Sequence, residues 1–280
     1  MWYRTRCKSI KIRICLATSL RTRSQGDEIL STEDDRRFHR PAVHPAAWTT
    51  EQIGAFWDNM SSIPDLQARY FSANHSQGIL ETMDRCAPLT GVVLDYGCGR
   101  GEFLDALLRR GLFCMGCDAS AENVRTIRDK FAKRSGFLGG FRDPVKLEDL
   151  GRYPDVITLI EVVEHMPIAV LPSFLTKIRA LLQPGGRIVL TTPKAEDLST
   201  QMVLCPECGC YFHNSQHMTS IDPKVLERIF CDLGFQTEVN LPTLFRRNEE
   251  TSVRNRIKRI VVENVLPAKA PHLLFAARRL

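Results

Sequence analysis

The stretch from Val92 to Ser120, VVLDYGCGRGEFLDALLRRGLFCMGCDAS, constrains the fold more than any other part of the chain. An apolar run (Val92, Val93, Leu94) ends in Asp95, and three glycines follow at alternate positions (Gly97, Gly99, Gly101). Phe103, Leu104, Leu107 and Leu108 then recur at helical spacing. The order is strand, tight turn, helix. Glycines let the backbone bend sharply and approach a ligand that a Cβ would push away. A second apolar run, Leu112 to Cys117, ends in Asp118. That is about 20 residues past the glycines, where a nucleotide-binding βαβ unit puts the acid that grips ribose hydroxyls.

The pattern is D-x-G-x-G-x-G, which fits the G-x-G-x-x-G of a dinucleotide-binding unit poorly, and no G-K-S/T is present to hold a triphosphate. In wording and spacing it resembles motif I of the class I S-adenosylmethionine (SAM) methyltransferases. The resemblance implies that Asp95, Gly97, Cys98, Gly99 and Gly101 form the turn beside the methionine part of SAM. It also implies that Asp95 lies near the cofactor's amino group and that Asp118 holds the ribose.

The rest of the chain alternates in the same sense. Helical patterns around Ile53 to Trp57 and Ile79 to Cys86 precede the glycine turn. Trp57 reads as a core residue, and Tyr70 and Phe71 as either core or part of the cofactor and substrate mouth. After Asp118, Ser120 caps a helix through Ala132, and Phe137 to Phe141 reads as a short strand. Tyr153 to Ile160 is nearly continuous apolar, as parallel strands covered on both faces are. A helix from Ile168 to Leu182 is stopped by Pro184-Gly185-Gly186, and a strand runs from Arg187 to Thr192. A helix from Asp222 to Leu233 and strands at Phe235 to Asn240 and His272 to Ala277 complete an α/β chain. The expectation is a Rossmann-like, doubly wound sheet, seven-stranded as in the class I methyltransferases, with N-terminal helices and a Cys/His-rich insertion.

Glu161-Val162-Val163-Glu164-His165 follows the fourth strand, on the edge where a cofactor would lie. In a helical turn, Glu161, Glu164 and His165 stand at i, i+3 and i+4 and converge. Two carboxylates and an imidazole suit Mg²⁺, Mn²⁺ or Zn²⁺, which would lower the pKa of an acceptor hydroxyl. The other reading has Glu161 touching cofactor or substrate directly and His165 capping or packing. The E-x-x-E-H segment resembles ubiquinone-biosynthesis O-methyltransferases and small-RNA 3′-end 2′-O-methyltransferases. In the RNA group these three residues and a later histidine hold the catalytic metal, and His217 is the matching residue.

Ten cysteines occur without the spaced framework of a small secreted scaffold, and most read as small buried residues of a reducing compartment. Cys205, Cys208 and Cys210 cluster with His213 and His217 in CPECGCYFHNSQH. The Cys205-x₂-Cys208 knuckle and the two histidines offer four ligands to a structural Zn²⁺, although the gap between the two arms is shorter than in zinc fingers; if His217 serves the catalytic site, Cys205, Cys208, Cys210 and His213 form the set. Free thiols are the other reading. Bacterial methyltransferases of the ubiquinone type resemble this chain in carrying such an insertion, and their acceptors are small molecules or glycan parts.

Charge bears on the acceptor. The 280 residues carry 38 Lys/Arg and 32 Asp/Glu, but 10 basic and 5 acidic residues lie before residue 51, and 9 and 3 lie after residue 245. The middle therefore holds 19 basic and 24 acidic residues, which argues against a nucleic-acid acceptor. No apolar run approaches the roughly 20 residues of a membrane span. Residues 1–25 are basic with interleaved isoleucines and leucines, like an organelle transit peptide or inconsequential upstream sequence. The expectation is a disordered extension over residues 1–45, one catalytic domain over 46–280, and a cytoplasmic enzyme unless the extension directs it elsewhere. Its function would be methyl transfer from SAM to an oxygen of a small-molecule, glycan or lipid-type acceptor. The alternatives are RNA 2′-O-methylation and a non-catalytic SAM-binding protein held together by zinc.

Overall fold

The computed structural model describes residues 42–143, 145–249 and 252–280. The basic segment 1–25 and most of the expected extension lie outside the described residues. Residues 42–45 of the extension are described. His44–Pro45 forms a two-residue strand, β1, because the His44 N–H reaches the Gly209 carbonyl (3.1 Å) and the Ala46 N–H the Tyr211 carbonyl (2.9 Å).

Helix α1 (Thr50–Ser62) starts at a capping box in which Thr49 and Gln52 exchange side-chain and backbone hydrogen bonds. The short α2 (Pro64–Gln67) and α3 (Phe71–Cys86) follow. From there strands and helices alternate. Strand β2 (Val92–Tyr96) leads to α4 (Glu102–Arg109), β3 (Phe113–Asp118) to α5 (Ala121–Phe131), and β4 (Phe137–Arg142) to the short α6 (Leu147–Leu150). Strand β5 (Val156–Ile160) leads to α7 (Leu171–Leu181), β6 (Arg187–Pro193) to the small strands β7 (Met202–Leu204) and β8 (Cys210–His213), and these to α8 (Pro223–Asp232). Strand β9 (Phe235–Thr243), α9 (Val253–Asn264) and β10 (His272–Arg279) close the chain. The expected seven-stranded sheet is present, in the order β4-β3-β2-β5-β6-β10-β9. The first five strands pair in parallel, while β10 is antiparallel to both neighbours.

Alternate strand residues feed two cores. Leu94, Ile157 and Leu159 face one side, against Leu175 and Ile178 of α7 and Phe230 of α8. Val93, Val156 and Ile160 face the other, with Ile79 and Met83 of α3, Leu104 and Leu107 of α4 and Ile127 of α5. Burial on both faces is why β2 and β5 are continuous apolar runs. Strand order reverses between β2 and β5, and at such a point an open α/β sheet leaves a crevice at the carboxyl ends of its strands.

Strands β1, β8 and β7 form a second, three-stranded sheet. Trp48 and Phe56 clasp Phe212 of β8 edge-on, with ring centroids 5.5 to 6.4 Å apart, so α1 and the small sheet form one body. Strands β7 and β8 and helix α9 are not among the elements expected from the sequence.

Candidate active site

The glycine turn lies where β2 meets the crevice. The N–H groups of Gly97 and Cys98 donate to the Cys117 carbonyl of β3 (2.8 and 3.0 Å), so the turn is folded onto the neighbouring strand. Gly97 has φ +79, and a Cβ there would stand 2.6 Å from Val162 Cγ2. Gly101 caps α4 at φ +83, where a Cβ would meet the Phe131 ring at 2.6 Å. Neither position tolerates a side chain.

Asp118 organises the other wall. Its Oδ2 accepts from the Gly99 N–H (2.8 Å), and its Oδ1 accepts from the Ser120 N–H (2.9 Å) and Asn123 Nδ2 (3.1 Å). Burial raises its pKa, and these three donors work against that rise. Tyr70 lies across the turn, its ring 3.8 Å from an ideal Cβ on Gly99 and its hydroxyl 3.0 Å from Ser61 Oγ. Asp95 is less accessible than the resemblance implies. It is 1% exposed, its Oδ1 accepts from Thr158 Oγ1 of β5 at 2.7 Å, and burial pushes its pKa up to about 7.

Beyond β5 the chain does not enter a helical turn at Glu161. That residue has φ +52, a conformation costly for a non-glycine side chain, and a single 3₁₀ turn covers Val163–His165. Glu161 therefore does not stand at i relative to Glu164 and His165, as the helical reading expected. Its Oε1 accepts from Thr191 Oγ1 (2.9 Å), and its Oε2 faces His272 Nδ1 at 4.0 Å. Burial pushes its pKa up to about 8.

Glu164, His165 and His217 do converge, each offering a ligand atom within 4.8 Å of the others. Glu164 is 1% exposed. Its Oε2 accepts from Thr192 Oγ1 at 3.0 Å, and its Oε1 is buried without a hydrogen-bond partner. Burial and Glu161 raise the Glu164 pKa well above the carboxylate range, while burial and His217 push His165 down to about 3.

The histidines of the insertion belong to this site and not to the cysteines. His217 Nδ1 lies 2.5 Å from Glu196 Oε2, and His213 Nε2 lies 3.7 Å from Glu196 Oε1, with the two rings stacked at 4.6 Å. The Ser215 N–H donates to His213 Nδ1 (3.3 Å), which leaves the ring proton on Nε2, aimed at Glu196. Burial is the largest influence on Glu196 and opposes its ionisation, but the His217 hydrogen bond and the His217, His213 and His272 rings together outweigh it and hold the pKa below the usual range. The thiols of Cys205, Cys208 and Cys210 form a separate group within 4.8 Å of one another. Among the described residues neither His213 nor His217 joins them. The four-ligand sets built on His213 or His217 are therefore not assembled; the hairpin between β7 and β8 keeps the thiols at its turn and carries His213 to its far end.

Sequence reasoning missed Glu196, His272 and Gln216. Gln216 is fully buried at φ +58, accepts from Trp57 Nε1 (2.8 Å) and donates to the His165 carbonyl (3.1 Å), so α1 is tied to the E-x-x-E-H segment. Trp57 thus flanks the site, with its ring 4.7 Å from His165, besides packing on Phe56. Position at a strand terminus was the available signal, since Glu196 stands just past β6 and His272 opens β10.

A model of the methyltransferase domain family matches residues 67–239, more than half of the chain. The ubiquinone biosynthesis O-methyltransferase of Cereibacter sphaeroides is 36% identical over 123 residues, 42% of this chain and 47% of that protein. The chain thus spans about half the length of the curated relatives it matches. Among solved structures, a chain of the complex between the Trm112 methyltransferase activator and a methyltransferase of Haloferax volcanii superposes with a TM-score of 0.55. It is 18% identical and covers 79% of this chain and 96% of that one. The cyclase SpnF superposes at 0.54, with 14% identity over 85% and 99% of the two chains. At such identities the likeness shows the fold alone, and a cyclase on this fold means that the fold does not name the reaction. The family match over residues 67–239 shows that this chain belongs to the methyltransferase domain family.

Proposed function

We propose that this enzyme moves the methyl group of SAM to an oxygen of a small-molecule, glycan or lipid-type acceptor. The observation that carries the proposal is the meeting of Glu164, His165 and His217 at the carboxyl ends of the strands, beside the glycine turn. In this reading Asp118 holds the ribose, and Gly97, Cys98, Gly99 and Gly101 shape the methionine pocket under Tyr70. Asp95 braces the turn from below, and Glu161 lines the space between cofactor and acceptor.

The reaction is an in-line displacement. The acceptor oxygen forms a bond to the methyl carbon, the carbon–sulfur bond breaks, and S-adenosylhomocysteine leaves. The acceptor's proton needs a base. His217 suits this role, because Glu196 accepts its Nδ1–H and leaves the Nε2 lone pair free. His165, held neutral by burial, is the weaker base.

The donor set also fits a divalent cation. Glu164 has an orphaned buried oxygen, His165 Nδ1 is likewise unpartnered, and one carboxylate with two imidazoles suits Mg²⁺, Mn²⁺ or Zn²⁺. Glu164, His165 and His217 would hold it, and when bound it would supply positive charge that lowers the pKa of an acceptor hydroxyl. The cysteine trio is proposed as a structural Zn²⁺ site with a fourth ligand beyond the three thiols.

The test is a transfer assay with labelled SAM and an extract of the source cells, separated into RNA, protein, lipid-soluble and small polar fractions. Label in a lipid-soluble or small-molecule fraction, lost on Glu164→Ala, supports the proposal. Label in RNA replaces it with the 2′-O-methylation reading. SAM binding with no label in any fraction leaves a non-catalytic role.

A further inference from the structure

Helix α9 connects β9 to β10 and lies almost wholly on the surface. Val253, Ile257, Ile260 and Val261 stand at i, i+4, i+7 and i+8, so they share one helix face. They are 71%, 56%, 54% and 38% exposed, and Val265 and Leu266 extend the stripe at 68% and 40%. A contiguous exposed apolar stripe marks an interaction site more often than a scatter of single residues does. The same helix carries Arg254, Arg256, Lys258 and Arg259 against a single acid in its sequence. An apolar stripe edged with basic side chains is the design of a helix that lies in a lipid–water interface.

Its position gives this surface a purpose. Thr243, the last residue of β9, pairs with His272, the first of β10, and His272 pairs with Pro193 at the end of β6. The excursion carrying α9 therefore leaves and rejoins the sheet at the edge where His272 faces Glu161. Lys194, just past β6, donates to the carbonyls of Pro267 and Ala268 (2.9 and 3.0 Å) and ties the excursion to that edge.

We infer that α9 docks this enzyme on an anionic lipid surface, with the apolar stripe in the headgroup layer and the mouth of the site turned towards the membrane. Arg254, Arg256, Lys258 and Arg259 would complement lipid phosphates. A nucleic acid would have no use for the exposed valines and isoleucines. Because the catalytic edge and α9 share one rim, a lipid-soluble acceptor would reach the pocket without crossing water.

The experiment is sedimentation of the full-length protein with two kinds of vesicle, phosphatidylcholine alone and equal parts phosphatidylcholine and phosphatidylglycerol. The protein should pellet with the second kind only and be released as salt rises. Ile257→Asp with Val261→Asp should lower the binding constant about tenfold or more. Arg254→Ala and Lys258→Ala should each lower it about fivefold. These side chains are exposed, so unchanged circular dichroism and melting should show that the variants remain folded.

Four results would overturn the inference: no pelleting, equal pelleting with both vesicles, pelleting indifferent to Ile257→Asp with Val261→Asp, or tRNA binding that survives that change. Light scattering that shows a dimer dissociated by Ile257→Asp would also overturn it, by assigning the stripe to a second copy of the chain. Vesicle binding is read without SAM or acceptor, so its failure leaves the methyl-transfer proposal standing, and failure of the transfer assay leaves the docking surface standing.

Discussion

The two halves of the crevice are built in opposite ways. On the cofactor side, β2, the glycine turn and β3 are tied together by backbone hydrogen bonds, and both oxygens of Asp118 have partners. On the acceptor side, Glu164 Oε1, His165 Nδ1, His213 Nε2 and His272 Nδ1 are buried without hydrogen-bond partners. Unmet buried groups are costly to a fold and persist where something else, a ligand or a reaction, makes use of them. The cofactor wall leaves Glu102 Oε2 and Asn123 Oδ1 unpartnered but satisfies its turn and Asp118 as folded, whereas the acceptor wall leaves unmet the groups that would face an acceptor.

The comparison breaks most visibly at Gly101. Gly101→Val puts a β-branched side chain at φ +83, with its Cβ 2.6 Å from the Phe131 ring. Strain and overpacking each cost on the order of 1–3 kcal/mol. Isothermal titration should find no SAM binding, together with a lower melting temperature. If the cofactor wall were instead adaptable, the variant would bind SAM with a modest loss.

The acceptor wall should respond in the reverse manner. Glu164→Ala removes a carboxylate that burial and Glu161 disfavour, so melting of the metal-free protein should hold steady or rise while kcat falls about 10²–10⁴-fold. The dissociation constant for SAM should not change. A fall in melting temperature alongside intact turnover would make Glu164 a structural residue and erase the contrast between the walls.

Glu196 sharpens the comparison further, because it acts through another residue. Removing its hydrogen bond from His217 Nδ1 frees that ring to take the wrong tautomer. Glu196→Ala should lower kcat about 10–100-fold, with Glu196→Gln recovering part of the loss, since an amide oxygen still accepts from Nδ1–H. A merely structural Glu196 would show parallel losses of stability in both variants and no partial rescue of kcat.

Legibility in the sequence followed the same division. The glycine turn, Asp118 and the strand–helix alternation could be read because local chemistry decides them: the positive φ of Gly97 and Gly101, and the apolar runs of β2 and β5 that two covering layers demand. The acceptor wall could not, because its partners meet through topology. Glu196, His213 and His217 come together only once the β7–β8 hairpin folds over the end of β6, and His272 arrives from the far end of the chain. Helical spacing misled at Glu161 because its left-handed backbone diverts the chain before the 3₁₀ turn begins. The cysteines and histidines of the insertion looked like one zinc set because they are neighbours in sequence; the hairpin separates them.

Asp95 offers the smallest effect and the finest test of where the cofactor wall ends and the fold begins. In the SAM-free protein, burial lifts its pKa to about 7, against about 4 for an unfolded aspartate. Between those values the folded chain holds a proton that the unfolded chain has released, so stability falls as pH rises. The stabilising contribution is full below about pH 4 and is lost as pH climbs through about 7. Asp95→Asn keeps an oxygen that can accept from Thr158 Oγ1 and has nothing to titrate. Urea unfolding of both proteins should show the wild type losing stability relative to the variant across this window, with the difference levelling off above it. A difference that grows in favour of the wild type as pH rises would mean that Asp95 is an ionised carboxylate in the folded state. It would then be poised for a cationic ligand group and belong to the binding surface instead of the frame beneath it.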